Sequence, residues 1–172
     1  MAVLPVLIYG DPKLRRKAEP VAPEELAKPE FQTFLDDLAE TLYVEDGIGL
    51  AAPQVGANQR VVVIDVSWIE KQIKDPIFLI NPTLETSGEL VDFDEGCLSL
   101  PDVRGKVMRP SQVRLSFTDR HGKSQVLEAN GLLARCSQHE FDHLEGVLFV
   151  DRLSMTGKAL VQGKLKRLKR GR

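Results

Sequence analysis

The chain has 172 residues, of which 42% are hydrophobic and 28% are charged, and its formal net charge is −2. This length suits one domain with a substantial core, and the composition is that of an ordinary soluble globular protein. Two cysteines argue against a disulfide scaffold and fit a reducing compartment. The apolar N-terminal stretch is short and interrupted by Pro5, so we do not expect a signal peptide. Because no apolar run approaches the ~18–20 residues of a membrane helix, we predict a single cytoplasmic domain over residues 1–172.

The hydrophobic pattern predicts helices at both ends of the chain and strands in its middle. Residues 1–9 are expected to be extended and to lead through a turn at Asp11 into a short helix. Apolar residues spaced mostly three or four apart predict a helix over residues 24–44. The β-branched run at residues 60–66 predicts a buried strand. Further elements follow in order: a strand at residues 77–85 bent near Asn81, a β-hairpin of residues 113–118 and 124–129, a helix at residues 131–145 and a last helix at residues 156–170.

The most informative stretch is QHEFDHL at residues 138–144, inside a predicted helix. His139 and His143 are four residues apart, so their imidazoles share one helical face and can chelate one metal ion. Glu140 lies beside the first ligand and can reach a water on that metal as a general base. The alternative is a pair of ordinary histidines on an amphipathic helix. The chain contains only three histidines, and two of them lie in this motif, which favours a metal helix.

The order of the elements predicts an α+β fold. We expect mixed or antiparallel sheets packed around the central metal-binding helix, with N-terminal helices before them and a C-terminal helix after. No internal repeat or linker divides the chain.

Two histidines leave a catalytic metal one protein ligand short of the usual three. Cys136 lies on the same helical face, but seven residues separate it from His143, about 10.5 Å along a helix axis. We therefore predict that Cys136 is a small core residue. Glu145 lies only two residues beyond His143 and points off the ligand face. Cys97 is the remaining thiol, so we expect a site of Cys97, His139 and His143.

Residues 47–56, GIGLAAPQVG, contain three glycines and two alanines, which indicates close backbone approach or special dihedral angles. The stretch lacks the Gly-Lys-Ser/Thr ending of a phosphate-binding loop. Two interpretations stay open. It is either a tight β-turn entering the strand at residues 60–66, or a substrate-facing wall with Gln54 near the reacting carbonyl group.

The C-terminal segment, residues 158–172, carries seven basic residues and no acidic one, and the net charge of −2 therefore leaves −9 for residues 1–157. A solvated helix end accounts for such a segment, and contact with an anionic partner such as RNA is the functional alternative. The basic residues are Lys158, Lys164, Lys166, Arg167, Lys169, Arg170 and Arg172.

Three stretches together resemble the signature motifs of the peptide deformylase family, in the family's order and spacing. They are GIGLAAPQ at residues 47–54, EGCLS at residues 95–99 and QHEFDHL at residues 138–144. The opening at residues 7–15 and the close at residues 146–153 resemble the family as well, so the likeness covers nearly the whole chain. One departure is Gly10, which stands before Asp11 where the family pattern has proline, far from the motifs that carry chemistry.

The resemblance implies a metal-dependent hydrolase that removes the formyl group from the N-terminal formyl-methionine of new polypeptides and releases formate. It implies the ligands Cys97, His139 and His143, and a metal-bound water that attacks the formyl carbon while Glu140 acts as acid and base. Oxyanion contacts are expected from the Gln54 side chain and the Leu98 backbone N–H. The substrate-binding residues that we expect are Ile48, Gly49, Leu132, Glu95 and Arg104.

The cofactor that the resemblance implies is one divalent metal. We expect Fe(II), with Zn(II) or another divalent metal as the alternative, because a thiolate ligand tempers the Lewis acidity of the ion. The expected partners are formyl-methionyl nascent peptides and the ribosome, reached through the basic C-terminal segment, with no membrane or DNA partner. Two competing functions are a zinc peptidase that uses the same His-Glu-x-x-His motif and an RNA- or ribosome-binding module with a structural metal.

Overall fold

One five-stranded sheet organises the computed structural model, which describes residues 1–171. Its strands lie in chain order and each pairs antiparallel with the next. Arg172, predicted as part of the basic segment, lies outside the described residues. The strands are β1 (Gly49–Ala51), β2 (Val61–Ile64), β3 (Ile77–Cys97), β4 (Leu100–Thr118) and β5 (Ser124–Asn130).

Helices precede and follow the sheet, as the sequence predicts, and a further short helix between β2 and β3 was not expected. The α-helices are α1 (Pro23–Leu26), α2 (Pro29–Val44), α3 (Trp68–Lys71), α4 (Gly131–Leu144) and α5 (Met155–Arg170), and short 3-10 helices span Pro12–Arg15, Ala52–Val55 and Phe149–Arg152.

The single helix expected over residues 24–44 is two helices, and Pro29 is the cause. Proline has no backbone N–H and disfavours helical geometry in the residue before it, so Lys28 is extended and α2 begins at Pro29. The predicted end at Val44 is confirmed.

Strand β2 has no solvent-facing side, because a helix packs on each face of the sheet beside it. Val61 and Val63 contact α2 residues such as Leu38, in one buried cluster. Val62 and Ile64 belong to a second cluster with residues of α4. Both faces are therefore apolar, which explains the unbroken β-branched run and places α4 at the centre of the fold. The predicted α+β class with a central helix is confirmed, and the sheet is antiparallel throughout the described residues.

Strands β3 and β4 form a long hairpin that extends beyond the helix-covered part of the sheet. The bend predicted near Asn81 is present: Asn81 has a φ of 51°, and the register shifts between Ile80 and Thr83. The strand predicted at residues 77–85 nevertheless runs on to Cys97. Alternation is weak in this extension and Gly88 and several acids interrupt it, so the sequence pattern is that of a loop although the backbone pairs with β4.

Helix α5 packs on β4 through Val161, Leu165 and Leu168, which share a third apolar cluster with residues of β4. Their spacing of four and three residues is that of one helical face, so the basic residues of α5 lie mainly on the other faces. No helix among residues 1–171 is long and apolar enough to cross a bilayer.

The turn after α4 gives a stability test, because Gly146 has a φ of 72° and a Cβ added there would lie 2.5 Å from the Arg15 carbonyl oxygen. We expect Gly146→Ala to lower the free energy of unfolding by about 1–3 kcal/mol. The matched variant Gly163→Ala changes a glycine within α5 that has open space around it, and should raise stability by about 0.5–1 kcal/mol. Urea unfolding at equal metal content measures both, and a wild-type midpoint for Gly146→Ala would contradict the strain at this turn.

Candidate metal centre and active site

Three predicted ligand residues converge at the face of α4 that meets the end of β3. One ligand atom each from Cys97, His139 and His143 lies within 4.8 Å of the other two. The Cys97 Sγ is 3.3 Å from His143 Nε2. Both histidines are buried in the C-terminal half of α4, one turn apart, with His143 in the last turn of the helix. Among residues 1–171, this is the one group of three or more His, Cys, Asp or Glu residues with metal-ligand geometry.

The cysteine reaches α4 because β3 ends there in an irregular pairing. The register with β4 shifts between Gly96 and Cys97, so the thiol leaves the regular alternation of the strand. The next residues turn at once into β4, which begins at Leu100. A local strand irregularity of this kind re-aims a side chain, and here it aims the thiol at the two imidazoles.

The donor set fits a divalent transition metal. Three ligand atoms around one ion with bonds of ~2.0–2.3 Å must lie within several ångströms of one another, as they do here. One thiolate and two imidazoles suit Zn(II) and Fe(II), whereas Mg(II) and Ca(II) prefer oxygen ligands. Three protein ligands also leave a position for water or substrate, as in catalytic centres.

A buried network of charges holds His139 in orientation. The Nδ1 of His139 lies 3.1 Å from Glu95 Oε1, so its Nε2 is turned toward the cysteine. Arg109 Nε donates to both oxygens of Glu95, at 3.2 and 3.0 Å, and Arg109 Nη1 donates to Asp142 at 2.9 Å. Burial alone would raise the pKa of Glu95, but the hydrogen bonds from His139 and Arg109 outweigh it and lower that pKa. The carboxylate therefore stays ionised.

Glu95 is predicted as a substrate-binding residue, and its side chain also holds a metal ligand in place. Its side chain is only 4% exposed, and its carboxylate contacts His139 and Arg109. It supports a metal ligand through this contact, and it also lines the cavity that opens from the centre. Asp142 and Arg109, which the sequence analysis missed, are the other members of this network. The density of polar residues in α4 was the signal that could have indicated such a network, because buried polar groups require hydrogen-bond partners.

Glu140 lies beside the ligands with one oxygen unengaged. The residue is 4% exposed, and within the described structure its Oε2 has no hydrogen-bond partner. Burial raises the pKa of Glu140 to about 7. A carboxylate with a pKa near neutrality suits a group that both accepts and donates a proton.

Helix α4 approaches β1 so closely that only glycine fits at position 49. A Cβ added to Gly49 would lie 2.6 Å from Glu140 Oε1 and 2.6 Å from Cys136 Sγ. Both distances are below any real van der Waals contact, so the missing side chain is what lets β1 form a wall beside Glu140. This observation favours the substrate-wall interpretation of residues 47–56, which form β1 and a 3-10 helix.

Cys136 is a core residue in the structure. It is 4% exposed and belongs to the apolar cluster between α4 and β2. Its Sγ is 3.6 Å from the Ile48 carbonyl oxygen. Burial raises the pKa of the Cys136 thiol well above its ordinary value, so it remains a neutral thiol.

The Gln54 side chain enters the centre from the 3-10 helix after β1. Its Oε1 accepts a hydrogen bond from the Ala51 N–H at 2.9 Å, which fixes the orientation of the amide. Its Nε2 therefore faces the centre, 3.2 Å from Ser99 Oγ and 3.6 Å from Cys97 Sγ. Leu98 follows the cysteine directly and lines the same cavity.

A cavity of about 450 Å³ opens from this centre to the surface. Arg104 is exposed at its mouth and pairs with Asp94 at 2.7 Å, and Leu132 is 43% exposed. Phe93, which the sequence analysis did not single out, contributes an apolar wall. All the residues expected to bind substrate line the cavity: Ile48, Gly49, Glu95, Arg104 and Leu132.

A protein-family model described as Polypeptide deformylase matches residues 3–159. The chain is 49% identical over 171 residues to the peptide deformylase of Xylella fastidiosa strain 9a5c, covering 99% of this chain and 98% of the relative. It is 44% identical over 174 residues to the peptide deformylase of Rickettsia akari, covering 98% of each.

Solved structures agree. A peptide deformylase from Synechococcus elongatus in complex with actinonin superimposes with a TM-score of 0.85 at 43% identity, covering 96% of this chain and 85% of that one. A Plasmodium falciparum peptide deformylase has a TM-score of 0.91 at 35% identity, covering 97% of this chain and 96% of that one.

The fold and the centre thus define a metal-dependent hydrolase. The chain belongs to the polypeptide deformylase family, as the sequence motifs predict. It is an enzyme that removes the N-formyl group from new polypeptides, and the peptidase and binding-module alternatives are not favoured.

The two cysteines give a direct test of the ligand set. We expect Cys97→Ala to lose nearly all bound metal, because two imidazoles alone hold the ion much more weakly. The matched variant Cys136→Ala should keep about one metal per chain and lose only packing. Elemental analysis of the purified proteins measures both. Equal metal content in Cys97→Ala and the wild type would refute the assignment.

Proposed function

We propose that this chain hydrolyses the formyl amide at the cluster of Cys97, His139 and His143, with Glu140 as the acid and base. The observation that carries the proposal is the buried Glu140 carboxylate, whose Oε2 has no hydrogen-bond partner in the part of the chain that the structure describes. A divalent ion held by the three ligands supplies Lewis acidity and makes water a stronger acid. All other steps fall to the side chains and backbone of the chain itself.

Glu140 moves the proton. Its carboxylate accepts the proton of the attacking water, and the same group then delivers that proton to the nitrogen of the leaving amine. A pKa of about 7 suits both halves of this transfer, because the group gives and takes the proton with little loss at neutral pH. Because residue 49 has no side chain, the Glu140 carboxylate has room beside β1, where a Cβ would lie 2.6 Å from its Oε1.

We propose two hydrogen-bond donors for the negative charge that develops on the formyl oxygen. The Gln54 Nε2 is held by the bond from Ala51 N–H to the other end of its amide. The Leu98 backbone N–H follows the cysteine in the turn between β3 and β4. Donors that are oriented before the reaction stabilise an oxyanion without a cost of reorganisation in the transition state. The network of Arg109, Glu95 and His139 keeps the ligand side of the centre equally rigid.

The cavity accounts for the rest of substrate binding. Leu132, Phe93 and Ile48 line the cavity and offer an apolar surface for the methionine side chain. Gly49 exposes backbone to the peptide, and Arg104 stands at the mouth where the chain would leave. We propose that Glu95 acts only through His139.

For the metal we propose Fe(II), with Zn(II) or another divalent ion as the alternative. The thiolate donates more charge than a third imidazole would, which tempers Lewis acidity and suits both ions. A peptidase of this motif would need a downstream carboxylate as its third metal ligand. Glu145, the nearest one, instead pairs with Arg60 at 2.6 Å and with Lys17 at 3.2 Å.

The decisive experiment is formate release from a formyl-Met-Ala-Ser peptide by protein purified without oxygen, with the metal assayed in the same sample. We expect rapid release with about one metal per chain. Fully metallated protein that releases no formate but cleaves unformylated peptides would refute the proposal and favour the peptidase.

Glu140→Gln is the matched control for the mechanism. It keeps the size of the side chain and the ligand set, so metal content should remain at the wild-type value. Turnover should fall by several orders of magnitude, on the order of 10³-fold or more, because the proton acceptor is gone. Activity close to wild type would exclude Glu140 as the acid and base.

We further propose a cytoplasmic enzyme that reaches nascent peptides at the ribosome through α5. The inner face of this helix, with Val161 and Leu165, packs on β4. Two basic side chains contact the protein itself: Lys164 donates to the Asp102 carbonyl, and Lys169 lies over the Tyr9 ring. The remaining described basic residues are exposed and available to RNA phosphates: Lys158, Lys166, Arg167 and Arg170.

Removing residues 158–172 would also remove the apolar inner face of α5, so charge removal is the cleaner test. We expect a variant with glutamine at the exposed positions 158, 166, 167 and 170 to bind ribosomes more weakly and with a shallower dependence on salt. Formate release from a short peptide should be unchanged. The control places glutamine at the exposed basic positions 13, 16, 71 and 123, with the same change in net charge. Equal ribosome binding by both variants would show that the basic residues of α5 have no specific role in binding the ribosome.

A further inference from the structure

The wall formed by Ile48 and Gly49 follows a short turn whose position depends on few contacts. The turn connects α2 to β1 and contains Asp46, which has a φ of 53°. The Gly47 N–H donates to the Leu42 carbonyl of α2 at 2.9 Å. Gly47 is buried, and a Cβ added there would lie 2.9 Å from Leu42 Cδ1, so packing leaves no room for a side chain that could anchor the turn.

The carbonyl of Gly47 has a partner from outside the turn. The indole N–H of Trp68, the first residue of α3, donates to the Gly47 carbonyl oxygen at 2.7 Å. The carbonyl oxygen of the next residue, Ile48, accepts from the Asp65 N–H at 2.9 Å. Residues 65–68 therefore donate hydrogen bonds to two consecutive carbonyl groups, those of Gly47 and Ile48, at the start of the wall.

Trp68 is itself fixed in place. Its ring meets Tyr43 edge to face, with centroids 5.2 Å apart. The buried Asp65 carboxylate accepts from the Tyr43 hydroxyl at 2.9 Å and from the Trp68 N–H of the backbone at 3.2 Å. The indole is thus oriented before substrate binds, so the Trp68 side chain loses no conformational entropy on binding.

We infer that Trp68 is a positioning residue for substrate binding, acting through the Gly47 carbonyl on the wall of Ile48 and Gly49. The inference rests on the proposed function. Trp68 does not line the cavity, so it does not touch substrate. The metal ligands and Glu140 lie on β3 and α4, whose placement comes from the sheet and from the Glu95 network. Loss of the indole N–H therefore weakens the fit of the peptide and leaves the metal ligands and Glu140 in place.

Trp68→Phe tests this inference because it removes the N–H and keeps an aromatic ring against Tyr43. We expect KM for the formyl-Met-Ala-Ser peptide to rise about three- to tenfold, the factor that corresponds to one net hydrogen bond. The value of kcat should stay within about twofold, because the variant weakens binding of the substrate and of the transition state equally. Metal content should match the wild type, whereas the unfolding midpoint should fall modestly, because the Gly47 carbonyl loses its partner and the smaller ring buries less surface.

Ile69→Ala is the matched control, since Ile69 follows Trp68 in α3 and is 48% exposed. Its KM should equal that of the wild type. An unchanged KM in Trp68→Phe would overturn the inference, as would an equal rise in Ile69→Ala or a loss of metal in Trp68→Phe. Wild-type protein that binds metal but releases no formate would refute the proposed function and the inference with it. If the wild type is active, the KM values of the two variants test the inference alone.

Discussion

The contact between the Glu95 carboxylate and His139 is the interaction on which the centre depends. It joins β3, which carries both Glu95 and Cys97, to the helix that carries the two imidazoles. Arg109 from β4 binds the same carboxylate and also Asp142 of α4, so two strands and one helix are tied together by fully buried charges. Such a network is no reliable source of net stability, because each charge loses its hydration on burial. Its contribution is to orientation, because it holds His139 relative to the strand that carries Cys97.

The second constraint is the close packing of α4 on β1. With glycine at position 49 the helix comes near enough for Glu140 to border the substrate wall, and Cys136 fills the space beneath it. The same sheet that brings β1 to this position is covered by α2 on its other side. The wall is therefore supported by the core on one side and by the turn that Trp68 holds on the other. The metal ligands and Glu140 thus lie on other elements than the wall of Ile48 and Gly49, which allows substrate binding to be perturbed apart from the metal centre.

Sequence reasoning succeeded where a local pattern has one physical meaning. The i, i+4 spacing of His139 and His143, the β-branched run in β2 and the apolar periodicity of α2 each correspond to the observed element. Reasoning failed in the extension of β3 beyond residue 85, where polar residues and Gly88 conceal a strand that is exposed on both faces. A strand outside the core does not need alternation, so the pattern that identifies strands is absent there.

The sequence by itself determined the metal-binding motif, the helix that carries it and the family, because these depend on residue types at short, fixed separations. Only the tertiary structure decided how Cys97 meets the two imidazoles, that the Glu95 carboxylate contacts His139, and that the Trp68 indole N–H binds the Gly47 carbonyl. These contacts join residues that lie 21 to 46 positions apart in the chain. Their geometry follows from strand register, a shift in pairing at Gly96 and helix-to-sheet packing, none of which leaves a periodic trace in the sequence.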